Sequence, residues 1–144
     1  MTDTGSPSLP GPGDVGTEVA RLRLPPVSRA TLALYAGASG DHNPMHIDSD
    51  FARSAGAPDV FAHGMLVMAY LGRLLTDRFG AAALRDWSVR FVAITPVGAE
   101  LTCSAVLAEL AEPAPGAGRI ARLDLAVRDA AGQTKLEGGA RVAL

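Results

Sequence analysis

Asp41, Asn43 and His46 stand in the run Gly-Asp-His-Asn-Pro-Met-His, and a second polar group, His63-Gly64-Met65, follows it. All three histidines of the chain, His42, His46 and His63, lie in this stretch, whereas Asp, Glu and Arg are spread along the whole sequence. A carboxylate beside an imidazole orients the ring and strengthens its hold on a proton. Asp41 and His46 therefore have the makings of an acid and base pair able to hold and activate water. Asn43 would orient that water or the ring. The same residues also fit a plainer role, because Asp and Asn side chains commonly tie down turns by bonding the backbone two residues on, with His46 then facing outward. A metal site is a third reading, since Asp41, Asp48 and His63 are close in sequence to His42 and His46. That histidine spacing aligns two imidazoles only on a helix, however, and Pro44 stands between them. No metal and no other cofactor is expected.

His63-Gly64 precedes a long apolar run. At a helix start the free N–H groups and the positive end of the dipole favour developing negative charge, and a glycine lets a ligand approach the backbone closely. Gly64 could thus donate to an oxyanion without any side chain; equally, it could simply ease a tight passage from loop to helix, with His63 filling the cap. Met65, Met68, Leu71 and Leu75 form a stripe that suits a core, or the wall of an acyl pocket.

Positioning these residues requires a particular order of elements. Residues 1–16, rich in Gly, Pro, Ser and Thr, predict a floppy leader ahead of one domain over residues 17–144. Thr17 to Leu24 alternates like a strand, and Pro25-Pro26 ends it. Ser28 caps a helix to about Ala38, Asp48 or Ser49 caps a short one to about Ser54, and the run from His63 to Phe79, apolar on nearly every face, predicts a long buried helix. Pro44 stiffens the loop between Asp41 and His46 so that both can be aimed inward. Four strands follow, over Trp87–Ile94, Glu100–Glu109, Gly118–Arg128 and Thr134–Leu144, with a hairpin turn at Asp129-Ala130-Ala131-Gly132. Consecutive strands without crossover helices argue against a doubly wound sheet. The expected fold is α+β, an antiparallel sheet wrapped around one long helix.

The bulk composition narrows the functions available. With 144 residues, 48% hydrophobic and 19% charged, the chain suits a single globular domain. A formal charge of −2 offers no general attraction to nucleic acid or to anionic lipid. The longest apolar run, residues 62–75, is interrupted by His63, Gly72 and Arg73 and falls short of the ~20 residues needed to cross a bilayer. The lone Cys103 excludes an internal disulfide and reads as a packed small hydrophobe; a reducing cytoplasm suits it.

GDHNPMH followed by AHGM resembles the hydratase-2 signature of the MaoC-like (R)-specific enoyl-thioester hydratases and dehydratases. The resemblance runs from Tyr35 to about Leu75, and WSVRFVAITPV resembles the strand that follows in the beta subunit of mycobacterial-type (3R)-hydroxyacyl-ACP dehydratases. It implies a hot dog fold and a homodimer, or a heterodimer with a related hot dog subunit, with the active site near the interface. It also implies that Asp41 and His46 act on the water added to or removed from the C2–C3 bond, that Asn43 supports them, and that the Gly64 N–H polarises the thioester carbonyl. The substrate would be an acyl-CoA or acyl-ACP thioester, with His63, Met65 and Met68 beside it. His42 stands where the family varies. Two alternatives are a hot dog thioesterase and a subunit that is active only with a partner chain.

Overall fold

The computed structural model describes residues 8–144. In chain order it contains β1 (Glu18–Arg23), α1 (Arg29–Ser39), α2 (Ser49–Ser54), α3 (Gly64–Phe79), β2 (Leu84–Phe91), β3 (Leu101–Ala111), β4 (Ile120–Asp129) and β5 (Thr134–Ala143). The helices begin where local chemistry says they should. The Ser28 hydroxyl accepts the Thr31 N–H at 3.0 Å, and the Asp48 carboxylate accepts the N–H groups of Asp50 and Phe51. Gly40, at φ 75°, ends α1 in the left-handed conformation that glycine adopts without a steric cost.

All five strands join one antiparallel sheet in the order β1-β3-β4-β5-β2. Local patterning does not encode this order: β2 follows α3 in sequence yet lies at the far edge, paired with the last strand. It also runs earlier than the expected Trp87–Ile94. Leu84 already pairs with Val142, and beyond Phe91 the Val92 N–H turns to the Lys135 carbonyl at 2.9 Å. Gly138 allows β5 to meet β2, since a Cβ there would fall 2.0 Å from the Ser88 carbonyl oxygen.

The sheet curls around α3. Leu66, Val67, Leu71, Leu74 and Leu75 of the helix are buried against Leu101, Cys103, Ala105 and Leu107, the inward side chains of β3, and their counterparts on β4 and β5. Each fully buried leucine contributes about 1.5–3 kcal/mol through the apolar area it removes from water. Cys103 is completely enclosed and burial pushes its thiol up to about 12, so it packs as a small hydrophobe. No described helix is long and apolar enough to cross a membrane.

Residues 8–16, expected to belong to a floppy leader, lie along the domain instead. Pro12–Asp14 forms a single 3-10 turn, the Gly16 N–H donates to the Leu107 carbonyl at 2.7 Å, and the Arg78 guanidinium donates to the Ser8 carbonyl at 2.7 Å. Backbone pairing with β3 orders this stretch where its own apolar content is too small to do so. The rest of the expected leader, residues 1–7, lies outside the described residues.

Lys135 is 2% exposed. Its ammonium donates to the Ile94 carbonyl at 3.1 Å and to the Gln133 side-chain oxygen at 2.5 Å, and lies 3.1 Å from the Asp129 carboxylate. This contact joins the β4–β5 turn to residues 92–95, which form a wall described below. The Gln133 N–H, and then Lys135, hold the Asp129 carboxyl below the usual carboxylate range. An ammonium left buried without its counter-charge is strongly destabilising, whereas removing both charges is nearly neutral. Asp129→Asn keeps the oxygen that accepts the turn's N–H groups but loses the charge. It is expected to lower Tm, and adding Lys135→Met should recover part of the loss. Thermal melts of the two single variants and the double variant check this.

Candidate active site

The loop after α1 is built by its own side chains. The Asp41 carboxylate accepts the Asn43 N–H at 3.2 Å, and the Asn43 side-chain oxygen accepts the Met45 N–H at 3.0 Å, capping a 3-10 turn over Pro44–His46. Both acidic and amide side chains thus fasten the turn, as the plainer reading of the sequence expected. His46 does not point outward, however. It is 9% exposed, and its Nδ1 lies 2.7 Å from the Phe61 carbonyl oxygen. A carbonyl can only accept, so Nδ1 carries the proton and Nε2 of the neutral ring presents a lone pair, the tautomer of a general base.

His63, at the N-cap of α3, lies behind this residue. It is 1% exposed, its ring centroid is 4.0 Å from that of His46 at a tilt of 31°, and the edge of Tyr35 meets it at 4.9 Å. Its Nε2 donates to the Asp41 backbone carbonyl at 3.1 Å. Its Nδ1 is the one buried side-chain polar atom among the described residues without a partner, which costs about 1–3 kcal/mol in desolvation. Burial is the largest influence on His63 and lowers its pKa, favouring the neutral ring.

Asp41, His46 and His63 each offer an atom within 4.8 Å of the others. His42, which spacing paired with His46, is not in this group. Three donors at such distances invite a metal reading, but a metal needs lone pairs converging at about 2 Å. The two rings lie at a 31° tilt, and one nitrogen of each is already committed to a carbonyl, His46 Nδ1 to Phe61 and His63 Nε2 to Asp41.

A cavity of about 350 Å³ opens in front of His46. Phe61, Ala62, Gly64 and Val67 form one side, Phe91 to Thr95 the other, and Leu136 the floor. The two sides are stitched together by the Ala62 N–H donating to the Thr95 carbonyl at 2.8 Å and by a bridge between Phe61 and Pro96. Gly64 is the first residue of α3, and its N–H has no protein acceptor among the described residues. A Cβ at Gly64 would lie 3.0 Å from the Phe91 ring, so glycine admits a close approach on this face. His46 and the first residue of α3 thus line one cavity. A larger hollow of about 610 Å³, on the outer face of the sheet between Arg90, Ser104 and Arg128, contains none of these groups.

Several residues picked from the sequence stand elsewhere. Met65 is 56% exposed and Met68 packs against the core, so neither lines the cavity. His63 does not line it either, being sealed behind His46, and Asp41 and Asn43, both exposed, also lie outside the lining. The pocket crosses the first turn of α3 instead of running along the methionine stripe, because the sheet occupies the rest of the helix face. Phe91, Thr95 and Leu136 were not singled out by sequence. Phe91 was expected only as part of the strand Trp87–Ile94, and Leu136 only as part of the strand Thr134–Leu144.

An antiparallel sheet curled around one buried helix, with a buried histidine lining a cavity at that helix's N-terminus, defines a hot dog protein. The MaoC like domain model matches residues 13–113, and the chain belongs to that family. Among solved structures, the (R)-hydratase from A. caviae superposes with a TM-score of 0.78 at 30% identity, covering 90% of this chain and 96% of that one. The (R)-specific enoyl-CoA hydratase of Rhodospirillum rubrum is 30% identical over 86 residues, 58% of this chain and 60% of that protein. The 3-hydroxyacyl-thioester dehydratase X of Mycobacterium tuberculosis is 39% identical over 85 residues, 59% of this chain and 26% of that protein. The matches span between 3% and 60% of the length of these and the other curated relatives.

Proposed function

We propose that this protein catalyses the reversible hydration of trans-2-enoyl thioesters to (R)-3-hydroxyacyl thioesters, carried on CoA or on an acyl carrier protein. The observation that carries this reading is that His46, whose Nδ1 is held by the Phe61 carbonyl, lines the same cavity as Gly64, whose N–H has no acceptor among the described residues. In the hydration direction, His46 takes a proton from water as the water oxygen bonds to C3. Asp41, outside the cavity lining but with a carboxylate oxygen within 4.8 Å of a His46 ring nitrogen, holds that water, Asn43 keeps the Asp41 loop in shape, and the carbonyl oxygen gathers enolate charge at the Gly64 N–H. A proton then returns to C2. The water thus supplies OH to C3 and H to C2, with no redox change and no cofactor. The (R) configuration follows from the family's named relatives.

With crotonyl-CoA, the purified chain is expected to bleach the enoyl absorbance without releasing free thiol. Thiol release at comparable rates would instead make it a thioesterase. The carbons beside the cavity bear on assembly: Phe91, Val92 and Ile94 are 49%, 41% and 64% exposed, and β2 leaves one sheet edge unpaired. Apolar residues at and just beyond an open strand edge suit pairing with a second hot dog subunit, and we assign a homodimer. A mass measurement on the active chain tests this. A monomer that gains activity only with a related subunit would assign a heterodimer.

A further inference from the structure

His63 has no surface to offer a substrate, yet its buried ring lies directly against His46. We propose that His63 is a positioning residue, whose Nε2–H holds the Asp41 backbone carbonyl and whose ring face backs His46, setting the spacing between the carboxylate loop and the base. This inference rests on the Asp41/His46 reading above and goes beyond it.

Three observations carry it. His63 is 1% exposed and absent from the cavity lining, which removes direct substrate contact. The hydrogen bond of its ring, 3.1 Å to the Asp41 carbonyl, spans 22 residues of sequence and is a direct polar link from the start of α3 to the Asp41 loop. Its ring centroid lies 4.0 Å from that of His46 at a tilt of 31°, while the Phe61 carbonyl fixes His46 at Nδ1. His46 is thereby held at its edge by a carbonyl and across its face by a ring, and Asp41 is held by that same ring. Keeping Nδ1 buried without a partner is unfavourable for a residue that only fills space, since an apolar ring of the same shape would avoid the loss. Burial also keeps the ring neutral, so it adds no positive charge beside a base that must itself become protonated.

The full chain carrying His63→Phe retains a buried ring but no donor, while His63→Gln places an amide N–H close to the original Nε2–H. His63→Phe is expected to lower kcat for crotonyl-CoA hydration by on the order of 10²-fold with KM within about twofold, the pattern of misplaced catalytic groups. His63→Gln is expected to regain most of that activity. Should His63→Phe fail to fold, His63→Met supplies the volume without the donor. Turnover per folded molecule equal to wild type in the donor-less variant overturns the proposal, as does a raised KM with kcat intact, which would make His63 a substrate contact. Asp41→Asn measured alongside separates the two levels of inference. An active Asp41→Asn overturns the parent reading and this one with it, whereas an inactive Asp41→Asn beside a fully active His63→Phe overturns this one alone.

Discussion

His46→Asn and Asp41→Asn are each expected to cut kcat for crotonyl-CoA hydration by about 10²–10⁴-fold, the range that a positioned acid or base contributes. Both substitutions separate chemistry from folding. The Asn side-chain N–H lies close to where Nδ1–H of His46 lies, so the Phe61 carbonyl, 2.7 Å from that nitrogen, keeps its donor while the basic Nε2 is lost. Asp41→Asn keeps an oxygen to accept the Asn43 N–H, now at 3.2 Å, and removes the charge that would hold water. Steady-state absorbance kinetics with thermal melts check both. Wild-type turnover in either variant would remove that residue from the proposed mechanism. His46→Ala is a poorer test, because it strands the Phe61 carbonyl and its effect on activity would mix with a loss of stability.

The second large effect lies at the start of α3. Gly64→Ala and Gly64→Pro both add a Cβ that meets the Phe91 ring, at 3.0 Å in the present geometry, but only proline removes the N–H. Proline is tolerated at a first helical position, where the N–H has no helical partner anyway. The residue before it also fits, since His63 has φ −55° and ψ 132°, the extended range that a following proline requires. Gly64→Pro is therefore expected to lower kcat by a further 10²–10³-fold, on the order of an oxyanion donor's contribution, below Gly64→Ala. Equal activities in the two variants would show that steric approach at Gly64 matters and its N–H does not. Phe91→Ala added to Gly64→Ala measures the steric part by itself, because it removes the ring that the new Cβ meets.

Much of this protein is legible one segment at a time. Ser28 and Asp48 announce helix starts because their side chains satisfy N–H groups only two or three residues away. The alternation of Leu101, Cys103, Ala105 and Leu107 announces a strand with one buried face. Asp41, Asn43 and Pro44 announce a stiff turn, and Gly64 a helix start that a ligand can approach. Each signal depends on bonds and sterics within a few residues, so the sequence by itself determined the order of elements, the fold class and the loop that holds His46.

Only the tertiary structure decided what faces that loop. Pairing β2 with β5 brings Phe91 to Thr95 opposite Gly64 and makes a wall from residues that no local pattern marks. The same packing turns His63 away from the cavity, leaves Met65 outside it, and draws residues 8–16 onto β3. The tautomer of His46 likewise depends on the Phe61 carbonyl, which lies 15 residues further along the chain. Such contacts depend on the free energy of bringing distant segments together, a quantity shared over the whole core and absent from the spacing of residues within any one segment.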